Sequence, residues 1–107
     1  MADIQYIRTE VEVIAETGDT SDFYILYKNI KNVTMTLSFP GGTGKAKVWT
    51  STDLVSTIED DQTNIVWVLW ASNEVTNTTT RVSMASPSAI KLENTGTGQA
   101  KLSVQGR

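Results

Sequence analysis

Between residues 33 and 39 apolar and hydroxyl side chains alternate without a fault: Val33, Met35, Leu37 and Phe39 on one parity, Thr34, Thr36 and Ser38 on the other. Successive side chains of an extended chain point to opposite faces, so the segment predicts a strand with one apolar and one hydroxyl face. The pattern returns near the C-terminus, where Ala100, Leu102 and Val104 alternate with Gln99, Lys101, Ser103 and Gln105, and the chain is expected to finish inside its fold. At the other end Ile7, Val11, Val13 and Ala15 share one parity while Arg8, Glu10, Glu12 and Glu16 share the other. A helix would scatter those charges around its axis, so this segment too reads as a strand.

Two runs are apolar on both parities, Phe23 to Tyr27 and Ile65 to Trp70, as suits strands covered on both faces or facing another subunit. Lys45 to Ser51, Thr78 to Met84 and Ser88 to Glu93 are weaker strand candidates. Turn residues separate them: Thr17-Gly18-Asp19-Thr20, Pro40-Gly41-Gly42-Thr43-Gly44, Ser72-Asn73-Glu74, Pro87, and Asn94-Thr95-Gly96-Thr97-Gly98. Asp53 to Asp60 is too short and too rich in Thr, Ser and Val to predict a helix. The expectation is all-β: an antiparallel β-sandwich of about eight strands, jelly-roll or immunoglobulin-like. With 107 residues, 39% apolar and 20% charged, the chain suits one such domain spanning residues 1–107.

The composition also restricts the chemistry. Histidine and cysteine are both absent, which excludes Ser-His-Asp and Cys-His catalysis, disulfides and thiolate zinc sites. Nine basic and twelve acidic residues give a net charge of -3, with the bases scattered, so nucleic acid is not expected as a partner. The first ten residues lack a basic start followed by an apolar run, so no secretory signal is expected. The longest apolar run, Ile65 to Ala71, falls far short of the roughly 20 residues that cross a bilayer, and no membrane partner is expected.

Several constellations have an ordinary explanation. Gly41-Gly42-Thr43-Gly44-Lys45 lacks the first glycine of a phosphate-binding loop, since Phe39 stands there, and Ala46 follows the lysine; it reads as a turn. Glu59-Asp60-Asp61, with Asp53 nearby, has oxygen ligands for calcium but no regular spacing, and reads as a solvated loop. Glu10, Glu12 and Asp60 could be nominated as an acid-base pair, as any chain with twelve carboxylates allows. No enzyme activity and no cofactor is expected. Asn32-Val33-Thr34 and Asn77-Thr78-Thr79 match the glycosylation sequon by chance. The aromatic residues Trp49, Trp67, Trp70, Tyr24 and Tyr27 are the candidate interface or ligand contacts. Trp67 and Trp70 lie on opposite parities, so a straight strand would send one ring inward and one outward.

The second half of the chain resembles small virion proteins of tailed bacteriophages. The resemblance rests on Lys47-Val48-Trp49-Thr50-Ser51-Thr52-Asp53, on Trp70-Ala71-Ser72-Asn73, and on the closing stretch from Ala89 through Asn94-Thr95-Gly96-Thr97-Gly98 to Gln105-Gly106-Arg107. It implies a β-sandwich that decorates a capsid or completes a tail as a homo-oligomer in contact with other virion proteins, made in the host cytoplasm and resident in the virion. From the residues alone, a carbohydrate-binding module using exposed Trp and Tyr is the alternative, with a glycan as partner.

Overall fold

The computed structural model describes residues 4–27, 29–42, 44–70, 74–76 and 80–107, with residues 80 and 81 described by their main chain alone. Its strands are β1 (Ile4–Ile7), β2 (Glu10–Ala15), β3 (Phe23–Leu26), β4 (Asn32–Ser38), β5 (Lys45–Ser51), β6 (Val68–Leu69), β7 (Val75–Thr76), β8 (Thr80–Ala85), β9 (Ala89–Asn94) and β10 (Ala100–Gly106). A helix, α1 (Val55–Asp60), and a 3-10 turn (Gln62–Asn64) lie between β5 and β6. The expected turn at Ser72-Asn73, the start of the expected strand at Thr78-Thr79 and the second sequon lie outside the described residues.

Strand β4 forms as its alternation predicts, with Val33, Met35 and Leu37 buried and Thr34, Thr36 and Ser38 on the outer side. Antiparallel β10 sets Leu102 opposite Leu37 and Val104 opposite Met35, and β8 sets Val82 opposite Met35 on the other flank. The first sheet runs β2-β10-β4-β8 and the second β1-β3-β9-β5-β6. Along the free edge of β5, β6 pairs with Trp49 and Thr50 while β7 pairs with Lys45 and Ala46, so two short strands share one edge. The fold is an all-β sandwich, antiparallel except where β1 runs parallel to β3.

Between the sheets Leu26, Val48, Ile90 and Leu92 meet Val13, Met35, Leu37, Leu102 and Val104 in one buried cluster. Each fully buried aliphatic side chain there contributes roughly 1.5–3 kcal/mol. A second cluster lies on the outer side of the second sheet, where Ile58 and Ile65 cover Ile25 and Ala89, with Ile4, Phe23, Val55 and Trp67 around them. The two-sided run from Phe23 is thereby explained within the chain. Tyr24 and Leu26 face the main core, and Phe23 and Ile25 face the crossover from β5 to β6.

The N-terminal segment is not one strand. At Arg8-Thr9 the chain leaves the second sheet, where β1 pairs with β3, and joins the first, where β2 pairs with β10. Alternation cannot reveal this change, because Ile7 and Val13 are buried in the same core from different sheets. The segment Asp53 to Asp60 does hold a helix. No side chain caps α1 at Leu54, and its anchor is Ile58, fully buried against the sheet, so tertiary packing outweighs a poor helical sequence. Only Val68–Leu69 of the run from Ile65 is strand, and the split N-terminal segment together with the added β7 brings the described strands to ten in place of eight.

Candidate recognition surface

The second sheet turns Ala46, Val48, Ile90 and Leu92 toward the core, which leaves the alternate side chains of β5 and β9 on its outer face. The register sets Lys47 opposite Glu93 and Trp49 opposite Lys91. The Trp49 indole N–H donates to Glu93 Oε1 at 2.9 Å, and Lys47 Nζ lies 5.9 Å from the Trp49 ring centroid. The crossover then lays Trp67 against Phe23, with centroids 5.2 Å apart and planes inclined at 57°. Lys91 Nζ stands 4.5 Å from the Trp67 centroid and 5.4 Å from that of Phe23. Its partial burial pushes the ammonium pKa below the ordinary lysine range, against the opposing charge of Glu93.

Of the five aromatic residues singled out by sequence, this face gathers Trp49 and Trp67. Trp70 turns the other way into the main core at 4% exposure, although neither it nor Trp67 lies in a strand, and its indole N–H has no acceptor among the described residues. Tyr24 rests half-buried against the main core, where burial raises its pKa. Tyr27 lies elsewhere, 5.9 Å from the Tyr6 ring, beneath the Arg8 guanidinium at 5.1 Å and accepting a hydrogen bond from Arg8 Nε at 3.2 Å. Phe23, Lys47, Lys91 and Glu93 join the surface without having been foreseen. The parity of Lys91 and Glu93 was readable, but their place beside Trp49 follows only from the pairing of β9 with β5.

A second feature lies at the β6 edge. Leu54, Val66 and Val68 are 74%, 63% and 60% exposed, and the Asp53 carboxylate ties the first two together by accepting from the Val66 N–H at 2.9 Å. Beside them is a shallow depression of about 460 Å³ lined by Thr52, Asp53, Leu54, Val55, Ser56, Glu59 and Ser88.

Glu59, Asp61 and Glu12, three of the acidic residues nominated by sequence, have partners within the chain. Glu59 accepts from the Tyr6 hydroxyl, and Asp61 accepts from Thr63 N, Thr63 Oγ1 and Asn64 Nδ2, which lowers its pKa. Glu10 and Glu12 border a shallow groove on the first sheet, where Glu12 pairs with Lys101 at 3.7 Å. Among the described residues no group of three or more acidic, histidine or cysteine side chains is placed to hold a metal ion. The glycine-rich loop leads into β5 and not into a helix, and at Gly44 a Cβ would stand 2.4 Å from a Phe39 ring carbon.

No protein-family model matches the sequence, and no curated protein matches it in sequence. Among solved structures the chain is similar to the pre-peptidase C-terminal domain of a collagenase from Bacillus anthracis, at 16% identity and a TM-score of 0.45, over 100% of this chain and 97% of that one.

Proposed function

We propose that the chain is a non-enzymatic assembly protein, a virion component such as a capsid decoration protein that oligomerises and binds the particle surface. The observation that carries this reading is the exposed apolar trio Leu54, Val66 and Val68 beside β6, which among the described residues ends its sheet. An unpaired strand edge flanked by bare aliphatic side chains is a surface that proteins ordinarily cover or blunt with charge. The virion setting is supported by the resemblance of the second half of the chain to phage virion proteins. Light scattering, with co-sedimentation on purified phage capsids, tests both parts: an oligomer that travels with the particles is expected, and a monomer that stays in the supernatant overturns the reading.

A second reading, a carbohydrate-binding module, is favoured by one observation: Trp49 and Trp67 lie half-buried on a single outer sheet face. Rings held in this way can take the apolar face of a sugar. Trp70 and Tyr24 do not share that face, so such a module would use the two tryptophans with Phe23.

A further inference from the structure

Charge is distributed unevenly over this molecule. The chain as a whole carries -3, yet the solvent-facing side chains of β5 and β9 include Lys45, Lys47 and Lys91 against Glu93 alone, and one Glu93 oxygen already accepts the Trp49 indole N–H. Half of the six lysines therefore stand on one face of two adjacent strands. None of them has a carboxylate partner within 4.0 Å among the described residues, where the one ion pair is Lys101 with Glu12.

Lys91 is the most constrained of the three. Its ammonium is held over two rings, at 4.5 Å and 5.4 Å, so it is aimed and partly stripped of water before any ligand arrives. A cation prepared in this way gives an anion more than a freely hydrated lysine does, because less water has to be removed and less side-chain freedom lost on contact. Lys47, over the neighbouring Trp49 ring, repeats the arrangement one step along the sheet.

We propose that this face binds an acidic polysaccharide, with sugar carboxylates on Lys91 and Lys47 and a sugar ring against Trp49. The inference rests on the second reading above and adds the ligand class to it. Two cations alternating with two indoles match a polymer whose repeating unit offers both a carboxylate and an apolar ring face. Single-stranded nucleic acid also combines anions with flat rings. Three lysines on a short sheet face give no continuous track for a phosphate backbone.

Isothermal titration with tetragalacturonate, cellotetraose and a short oligothymidylate decides the matter. Saturable binding of the acidic sugar is expected, without binding of the neutral sugar at the same concentration. Lys91→Gln and Lys47→Gln should each weaken it at least tenfold, and Lys101→Gln, on the other sheet, should leave it unchanged. Near-UV circular dichroism checks that the tryptophan packing survives, and Lys47→Gln serves if Lys91→Gln disturbs the fold. Equal binding of both sugars, unaffected by the lysine substitutions, overturns the acidic specificity and leaves the sugar platform standing. Binding of neither sugar removes both, and preference for the oligothymidylate also overturns the proposal.

Discussion

The side-chain amide nitrogen of Asn94 lies 3.0 Å from the main-chain oxygen of Ala15, so a buried polar group on β9 of the second sheet is tied to β2, the edge strand of the first. The same nitrogen donates to Gly98 O at 2.6 Å, and Asn94 Oδ1 accepts from the Gly96 N–H at 3.0 Å. One side chain therefore both closes the β9–β10 turn and joins the sheets. Asn94→Ala should cost about 2–3 kcal/mol in urea unfolding, since carbonyls that lose their donor stay buried. Asn94→Asp should be worse near neutral pH, where a carboxylate would face two carbonyl oxygens.

The crossover from β5 depends on Ile58. Ile58→Ala should cost about 3 kcal/mol, within the usual range for a buried aliphatic truncation. Hydrogen exchange should show α1 losing protection while β4 and β10 keep theirs, because Ile58 belongs to the outer cluster and not to the one between the sheets. Equal loss in all three elements would show that the two clusters open together.

Two glycines offer a controlled comparison. A Cβ on Gly96 would approach the main-chain nitrogen of Lys45 to 2.7 Å, whereas one on Gly41 would meet nothing within 4 Å. Gly96→Ala should cost about 1–3 kcal/mol by forcing the turn away from β5. Gly41→Ala should change stability by less than about 1 kcal/mol. Thermal melts of the two variants side by side measure the difference.

Alkaline pH should destabilise the fold through Tyr24. Burial, with the charge of Asp22 second, raises its pKa above 10.0, so its contribution is intact below pH 10.0 and is lost as pH climbs through the higher folded value. Lys91 acts in the opposite sense. Its folded pKa lies below 10.5, so the cost of desolvating its charge is relieved as pH rises through that window. Urea unfolding at pH 9 and pH 11 should show a shallower alkaline loss in Tyr24→Phe and a steeper one in Lys91→Gln than in the unsubstituted chain.

Much of the sandwich was legible because period-2 alternation is written residue by residue. β4, β5 and β10 appear within a residue of their expected bounds. The split of the N-terminal segment was not legible, since inward parity is the same in either sheet and only the pairing partner changes. Helix α1 was hidden because its stability comes from Ile25 and Ala89, distant in sequence, and not from its own residues. The candidate surface was half visible for a related reason. Tryptophans announce themselves, but the lysines beside them look like ordinary surface charge until β9 is laid against β5. The two-sided run from Phe23 left open cover within the chain or a neighbouring subunit, and the chain itself supplies the cover.

The proposed assembly through the β6 edge is tested most directly by the molar mass in solution of the unsubstituted chain beside a Leu54→Glu/Val68→Glu variant, measured by size-exclusion chromatography with light scattering. Both side chains are exposed, so the substitutions should leave folding intact, as circular dichroism will verify. Such assembly gives a whole-number multiple of the chain mass for the unsubstituted protein and the mass of one chain for the variant. A monomer in both cases, or an oligomer indifferent to the two glutamates, would contradict it.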